Sequence, residues 1–523
     1  MKKFKSIAAA VMAGAMVLTM TACEEEIPNS GNGSGGGTPA GGQSSSSSST
    51  GSLQSSRSEY VDSNVQSAVQ QITDQLEDPN MEVTEPIRWL AWYNIQEATP
   101  AGELFKTAYG VPKNSKDGNI FVWENVTYEE RYTRLNTLIQ SGDSPDLFPF
   151  EGTDFPIGIV NNRYQALDDI LDLSNEAKWG AAADLMDQYV VNGKHYCAFW
   201  EITLGSLMWY KKSAIAEIGA DDPQELFKQG KWDWDALFDM GMKWQQSGTE
   251  DSPRYLYDGW GVENNFMLST GVPLISMEGG KLTSNLHDSR IERAVDFIDR
   301  LADNNLPFDR VNNGWSISPR AWCNNQTLFF CEGIWRYEGN GWNGKSETPE
   351  DKAAMAAADG LKDYRIRYNW PEDEICVVPF PKDPQADKHY VALKQDSLMW
   401  VKGSTNANGV KAWIDCSVTA AKDPATSEAA KQQSIDDPTK QWTRELLDFL
   451  YPLYALDGSS PVSAVAEFRT GMPYPIYDSN ASNSPVAALT DYMYVDSTYT
   501  TVRDENESAI NQAIDDLNKQ LGV

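Results

Sequence analysis

Tryptophans and amides stand together at the ends of several predicted strands. Trp92 and Asn94 end one strand, Trp123 ends the next, and Trp260 and Asn264 follow a later one. Sugars present apolar CH faces and a rim of hydroxyl groups, so a sugar site combines aromatic rings with amides, carboxylates and arginines. These five side chains are therefore candidate sugar-binding residues. For each tryptophan, burial in a core is the alternative.

The sequence gives little sign of a catalytic or metal centre. The histidines His195, His287 and His389 do not form an HExxH motif, and the sequence has neither a Gly-x-Ser-x-Gly elbow nor a P-loop. It has no CxxC pair, so we expect no structural zinc site, while a disulfide between Cys323 and Cys331 stays open. We expect no enzyme and no cofactor. Paired carboxylates make a glycoside hydrolase the alternative, although 75 acidic residues supply such pairs by chance.

Alternating strands and helices would position the candidate residues. Buried strands are predicted at 87–93, 119–123, 146–148, 206–210, 259–262 and 397–401. Helices are predicted at 123–141, 234–244, 289–303, 410–416 and near the C-terminus. Thr127 and Glu130 form a capping box for the first helix, and Gly142 ends it. This alternation favours α/β architecture with mainly parallel sheets, whose ligands lie at the carboxyl ends of the strands.

The N-terminus has the pattern of an export signal. Three lysines precede an apolar run at 7–20, which is too short to span a membrane comfortably. Residues 18–23 resemble the lipobox of bacterial lipoproteins, in which the cysteine is lipidated, often with palmitate. We expect a signal peptide at 1–22 and a lipidated Cys23 that heads a disordered Gly/Ser tether at 23–58. An ordinary secreted protein is the alternative.

The charge of the chain excludes one class of partner. The formal net charge is −32, and the predicted signal peptide carries only lysines among its charged residues. The mature chain is therefore more acidic still, and its field repels nucleic acid and anionic lipid. We expect no nucleic-acid partner.

Six segments resemble, in chain order, the extracellular solute-binding proteins of ABC importers, in particular the carbohydrate-binding family that includes the maltose-binding protein. They lie at 138–148, 192–199, 209–219, 231–237, 377–381 and 401–404. The resemblance implies a two-lobed periplasmic-binding-protein-like fold, in which two α/β lobes are joined by a three-segment hinge with a ligand cleft between them. Lobe 1 would take 59–202 plus 393–462, lobe 2 would take 203–378 plus 470–523, and the hinges would lie near 199–203, 378–392 and 462–470.

The resemblance also implies further ligand residues. Glu151 and Asp154 follow the Gly-Asp-x-Pro-Asp segment, where the family often places a carboxylate. Trp200 and Glu201 lie at the first predicted hinge. Residues 333–336 resemble a loop that supplies a stacking tryptophan, which would be Trp335, with Arg336 as a donor to ring hydroxyls.

The predicted function follows from these patterns together. We expect a lipid-anchored substrate-binding protein on the extracellular side of the cell membrane, which captures a carbohydrate and delivers it to an ABC permease. The predicted partners are the sugar, the permease and the membrane lipid, and the protein is expected to be a monomer. A polysaccharide-binding adhesin without transport is a further alternative, since its tether would look the same.

Overall fold

The computed structural model describes residues 61–523, with gaps at 96, 181, 200–202, 314–316, 318, 335–373, 395–396, 437–441, 456–458, 478–483 and 496. The predicted signal peptide, Cys23 and the predicted tether lie outside the described residues. Within the described part, no helix combines the length and the apolar character that a membrane crossing requires.

The strands and helices alternate along most of the described chain. The strands are β1 (Ile87–Ala91), β2 (Phe121–Asn125), β3 (Leu147–Pro149), β4 (Val190–Val191), β5 (Lys194–His195), β6 (Thr203–Leu204), β7 (Leu207–Lys211), β8 (Tyr255–Gly259), β9 (Ile275–Glu278), β10 (Lys281–Ser284), β11 (Thr327–Glu332), β12 (Ile375–Val378), β13 (Tyr390–Lys394), β14 (Leu398–Trp400) and β15 (Ser463–Val465). The helices are Ser63–Gln70, Pro100–Tyr109, Arg131–Ser141, Ile157–Val160, Glu176–Trp179, Ala182–Met186, Lys212–Glu217, Pro223–Lys228, Trp234–Gln246, Val262–Leu268, Ser289–Asp303, Pro319–Cys323, Ala407–Lys422, Pro424–Asp436, Arg444–Leu450, Pro485–Asp491 and Tyr499–Leu521.

The first four-stranded sheet has the order β14-β3-β1-β2. β1 pairs in parallel with both β2 and β3, and β14 pairs antiparallel with β3. Trp89 and Phe148 on these strands are fully buried. The helices Pro100–Tyr109 and Ala407–Lys422 pack on each other beside it. This sheet and its helices form the first lobe.

The second four-stranded sheet has the order β12-β7-β11-β8. β8 and β11 run parallel, whereas β7 is antiparallel to both of its neighbours. The long C-terminal helix Tyr499–Leu521 packs against β10 of a nearby hairpin. This sheet forms the core of the second lobe.

A short three-stranded sheet has the order β15-β13-β6. The central strand β13 pairs in parallel with β15 and antiparallel with β6. Each of the three strands comes from a different stretch of the chain. The segments 203–204, 390–394 and 463–465 are therefore held side by side by backbone hydrogen bonds.

Two predicted elements differ from the structure. The strand predicted at 259–262 is wrong, because β8 ends at Gly259 and a helix begins at Val262. Gly261 has a φ of 63°, in the left-handed region, which an extended strand does not accommodate. The helix predicted from 123 begins at Arg131 instead, and the Thr127 hydroxyl accepts from the Glu130 amide 3.3 Å away in the turn before it.

The hydrophobic cores account for many of the tryptophans. Four of them, Trp232, Trp234, Trp244 and Trp413, are buried. Trp232 lies in the loop before the helix Trp234–Gln246. The cysteines of the described part carry thiols, and no disulfide joins Cys323 to Cys331. Neither sheet therefore depends on a covalent cross-link between these two residues.

Candidate ligand-binding site

Trp92 and Glu151 meet at the carboxyl edge of the first sheet. They follow β1 and β3, and parallel strands bring such residues to the same edge. The guanidinium of Arg131, the first residue of the helix Arg131–Ser141, lies between them. Arg131 Nε donates to Glu151 Oε2 at 2.9 Å, and its Cζ lies 5.6 Å from the centre of the Trp92 ring.

Two tyrosines complete this cluster. Tyr132 donates from its hydroxyl to Glu151 Oε2 at 2.8 Å, and Tyr128 meets the Trp92 ring edge to face at 5.1 Å. Burial, followed by the neighbouring Glu151 carboxylate, raises the pKa of Tyr128 to about 12. Both tyrosines are therefore neutral at physiological pH, and Glu151 is held in one orientation by charged and neutral donors.

Trp123 is an exposed aromatic residue near this edge. Its Nε1 donates to the Ala91 carbonyl oxygen at 2.9 Å, which fixes the ring while 40% of the residue stays exposed. Asn94 is also exposed, just beyond β1. A fixed and exposed indole can stack on an apolar sugar face without first being ordered.

Asp154 takes a different place from the one expected of a ligand residue. It is 3% exposed, forms an ion pair with Arg163 and accepts from the Tyr164 hydroxyl. Burial raises the pKa of Asp154 to about 6. Because its oxygens already hold neighbouring elements together, we assign it to the support of the loop that carries Glu151.

At the edge of the second sheet, Trp260 follows β8 directly. Arg310 Cζ lies 5.5 Å from the centre of the Trp260 ring, and its Nε donates to the buried Asp258 at 3.0 Å. The next helix begins at Val262 and carries Asn264, which is 7% exposed. The carboxyl end of β8 therefore supplies a partly exposed ring and a nearly buried amide.

A cavity of about 230 Å³ joins the ends of the two sheets. Residues after β3 and residues after β8 both line it, so the carboxyl edges of the two lobes open onto the same space. Strand β13 and the segment after β15 complete the wall. The lining residues are Phe150, Gly152, Phe155, Tyr189, Asn264, Leu268, Ala392, Leu393, Glu467, Phe468 and Thr470.

Aromatic rings form much of the cavity wall. Tyr189 lies 5.2 Å from both Phe155 and Phe468, and 5.6 Å from Phe150, measured between ring centres. Tyr189 also contacts Phe199, which is the last described residue before the gap at 200–202. The rings therefore pack as one cluster, and their positions support each other.

Asn264, Arg469 and Glu467 form the polar part of this region. Arg469 Nε donates to Asn264 Oδ1 and lies 3.3 Å both from that oxygen and from Glu467 Oε1. The Arg469 amide also donates to Glu467 Oε1, at 2.9 Å. Burial raises the pKa of Glu467, while the Arg469 charge acts in the opposite direction.

The structure brings together some of the predicted site residues and adds others. Trp92, Trp123 and Glu151 share the first edge, and Trp260 and Asn264 share the second. Trp200, Glu201, Trp335 and Arg336 lie outside the described residues. Glu467 and Arg469 were missed, although they lie inside the predicted hinge at 462–470; a charged pair within a predicted hinge was the available signal.

The arrangement is suited to holding a neutral polar molecule. Apolar rings surround a small number of amide and carboxylate groups, as in sites that bind sugars. Within the described ranges, no group of histidine, cysteine or acidic side chains could hold a metal ion.

Solved structures with the same fold are two-lobed binding proteins. One is a sugar transporter from Rhizobium etli in an open conformation, with a TM-score of 0.52 and 12% identity over 84% of this chain and 100% of that one. Another is the galacto-N-biose/lacto-N-biose I-binding protein of a Bifidobacterium longum ABC transporter, solved with lacto-N-biose. Its TM-score is 0.51, with 10% identity over 85% of this chain and 99% of that one.

A third solved structure, an uncharacterized protein from Listeria monocytogenes, has a TM-score of 0.53 and 14% identity over 82% of this chain and all of that one. Among curated proteins, no significant match was found. At these identities the likeness concerns the fold, which is the two-lobed α/β fold expected from the sequence.

The family is established by a match along the chain itself. The model of the bacterial extracellular solute-binding protein family matches residues 113–432, which is more than half of the chain. The matched range includes strands β2, β3 and β14 of the first sheet and all four strands of the second sheet. It also includes most of the residues that line the cavity. This chain belongs to the bacterial extracellular solute-binding protein family.

Proposed function

We propose that this chain is the substrate-binding lipoprotein of an ABC importer. It captures an extracellular carbohydrate, with an oligosaccharide as the preferred ligand, between its two lobes and delivers it to a membrane permease without altering it. One observation carries the proposal: the carboxyl edges of both sheets open onto an aromatic-walled cavity that contains Asn264 and Glu467.

The chemistry of this region supports a sugar as the ligand. Trp92 and Trp123 supply indole rings at one edge, and Trp260 supplies a ring at the other. Asn264 and Glu467 supply a donor and an acceptor for hydroxyl groups. The sugar ligand and sugar-transport role named for the Bifidobacterium and Rhizobium proteins agree with this choice.

We further propose that the three-stranded sheet lies at the hinge. β6, β13 and β15 fall at or close to the predicted crossings near 199–203, 378–392 and 462–470. Lobe 1 would then take 59–202 plus 393–462, and lobe 2 would take 203–378 plus 470–523. Short strands that cross together allow the lobes to rotate while their own sheets stay intact.

Calorimetry with product analysis tests the function. The chain from residue 59 onward would be titrated with neutral di- and trisaccharides of several linkages, and each mixture would then be analysed for cleavage. We expect saturable binding at one site with the sugar recovered intact. Cleaved sugar would instead favour the glycoside hydrolase, and failure of every sugar to bind would remove carbohydrate as the ligand.

Small-angle scattering tests the hinge. We expect a sugar that binds in calorimetry to reduce the radius of gyration of the protein, because the lobes close on it. A sugar of similar size that does not bind is the control. Saturable binding with an unchanged radius of gyration would contradict the proposed closure.

The lipid anchor needs a separate test in cells. We propose that Cys23 is lipidated and tethers the protein to the extracellular face of the cell membrane, where it acts as a monomer. The Cys23→Ser variant should move from the membrane fraction to the medium, since one thioether-linked lipid is its only proposed anchor. Retention of this variant in the membrane fraction would contradict the anchor.

A further inference from the structure

The Asn264 amide has a fixed orientation. A guanidinium can only donate hydrogen bonds, so the Asn264 atom that faces Arg469 Nε must be the oxygen Oδ1. The Nδ2 group then points away from Arg469. The Asn264 side chain also hydrogen-bonds the Glu467 carboxylate, which only accepts, so Nδ2 gives one N–H to Glu467. Asn264 is 7% exposed and lines the cavity, so its other N–H is available to a molecule inside it.

The Glu467 carboxylate is fixed in a similar way. Both contacts with Arg469, from the backbone amide and from Nε, go to Oε1. Glu467 lines the cavity, so its carboxylate can accept a further hydrogen bond from a molecule inside it. Its side chain is 11% exposed, so a ligand group that meets the carboxylate is largely removed from water.

Arg469 does not line the cavity. It lies on the protein side of both groups, close enough to Asp491 to lower the pKa of that carboxyl, while burial, the largest effect, raises the pKa of Asp491 to about 6. A ligand in the cavity therefore meets the carboxylate of Glu467 and the amide of Asn264, with the guanidinium behind them.

From this geometry we infer that Asn264 and Glu467 select an uncharged sugar ring and reject a sugar acid. One hydroxyl of the ring donates to the Glu467 carboxylate, and a neighbouring hydroxyl or the ring oxygen accepts from Asn264 Nδ2. A ligand carboxylate at the same place faces a like charge that is already shielded from water. This inference rests on the proposed function and specifies the substrate class within it.

The predicted selectivity has a clear size and direction. Like charges brought together in a site shielded from water are strongly unfavourable, so we expect a C6-oxidised uronic acid to bind about 10- to 100-fold more weakly than its neutral parent sugar. The Glu467→Gln variant keeps an acceptor oxygen and removes the charge. The ratio of the two affinities should then fall to within about threefold.

Calorimetry at pH 8 tests this inference with matched pairs of probes. Each neutral di- or trisaccharide that binds the wild-type protein would be compared with its C6-oxidised form, in wild type and in Glu467→Gln. The control is Glu77→Gln in the first lobe, because the Glu77 side chain is 12% exposed and lies 3.4 Å from Lys411. These values match the 11% and 3.3 Å of Glu467 with Arg469. The control should keep the wild-type ratio.

A second variant guards against a folding defect. Asn264→Ala removes the amide donor without adding a charge beside Glu467, and Arg469 keeps its pair with Glu467, so the variant should fold and bind neutral sugars at least about tenfold more weakly. Thermal unfolding of each variant confirms the fold. A wild-type protein that binds no sugar overturns the proposed function. Sugar binding with equal affinities for neutral and acidic forms, or with an unchanged ratio in Glu467→Gln, overturns this inference alone.

Discussion

Arg469 Nε lies 3.3 Å from Asn264 Oδ1, and this one contact links two parts of the molecule with different roles. Arg469 belongs to the segment after β15, which we propose to be the third crossing between the lobes. Asn264 belongs to the helix after β8, in the second lobe. The position of the crossing segment and the orientation of a ligand donor are therefore set by the same guanidinium.

Removal of this guanidinium should affect both stability and binding. Arg469→Met leaves the Glu467 carboxylate nearly buried without its cation, so we expect the free energy of unfolding to fall by about 3 kcal/mol. Sugar affinity should also fall, because Asn264 Oδ1 then loses the donor that orients the amide. Urea unfolding and calorimetry measure the two effects.

The double variant Arg469→Met with Glu467→Gln separates the two effects of Arg469. It should recover much of the stability, because no buried charge is left unpaired, but it should not recover the affinity. Equal stability of the single and double variants would contradict the assignment of the pair.

Stacking on Trp123 gives a second prediction. Trp123→Ala should lower the affinity for an oligosaccharide by about tenfold, since aromatic stacking and lost apolar contact each contribute on the order of 1 kcal/mol. The stability should change little, because the side chain is 40% exposed. The neighbouring Val122 is 46% exposed on the same edge strand, so Val122→Ala is the matched control and should bind as wild type. Equal losses in both variants would contradict a stacking role.

Local signals predicted the regular elements well. The helix at 289–303 is confirmed as Ser289–Asp303, because Asp288 caps its first turn and one face is continuously apolar. The helix predicted at 234–244 is confirmed as Trp234–Gln246, and Asp233 caps its first turn in the same way. The prediction of a strand at 259–262 was wrong because Gly261 adopts a positive φ, which the apolar pattern of these residues does not reveal. Backbone conformation at a glycine is set by its tertiary surroundings and has no signature in hydrophobic periodicity.

The site was only partly predictable for a related reason. Trp92 and Asn264 were found because they come after strands, and the edge of a parallel sheet is a local property of the pattern, whereas Trp123 lies within β2 rather than at its end. Arg469 reaches Asn264 across 205 positions of sequence. Such a contact depends on how the lobes and crossing segments pack, and an acidic chain offers many equivalent charged pairs. Spacing alone could not distinguish this one.

His389 gives the protein a specific acid sensitivity. Its ring lies 5.0 Å from Phe227, and its burial lowers the pKa of His389 to about 4 from its ordinary 6.5. Nε2 donates to the Phe380 carbonyl oxygen at 2.6 Å, and this hydrogen bond acts in the opposite direction but does not outweigh burial. Between pH 6.5 and 4 the unfolded chain binds more protons at this residue than the folded chain, so stability falls as the pH falls through this range.

The His389→Gln variant isolates that effect. Glutamine keeps an N–H donor for Phe380 and does not titrate, so the wild type should lose on the order of 2 kcal/mol more stability than the variant between pH 7 and pH 4.5. Urea unfolding at several pH values measures the difference. His287→Gln, at an exposed histidine paired with Glu507, is the control and should retain the wild-type loss. Parallel curves for wild type and His389→Gln would contradict the prediction.

Gly471 lies where the proposed third crossing segment contacts the loop after β3 in the first lobe. A Cβ at this position would lie 1.8 Å from the Phe155 carbonyl oxygen and 3.0 Å from that of Gly152, and both are backbone atoms that cannot move alone. Gly471→Ala should therefore cost about 3 kcal/mol of stability and weaken sugar binding, because the cavity wall formed by Phe155, Phe468 and Thr470 must shift. Gly152→Ala meets only the Thr470 hydroxyl, at 3.1 Å, and should cost less than about 1 kcal/mol. Urea unfolding and calorimetry on both variants test this contact, and a Gly471→Ala protein as stable as Gly152→Ala would show that the segment and the loop are not held as tightly as the distances require.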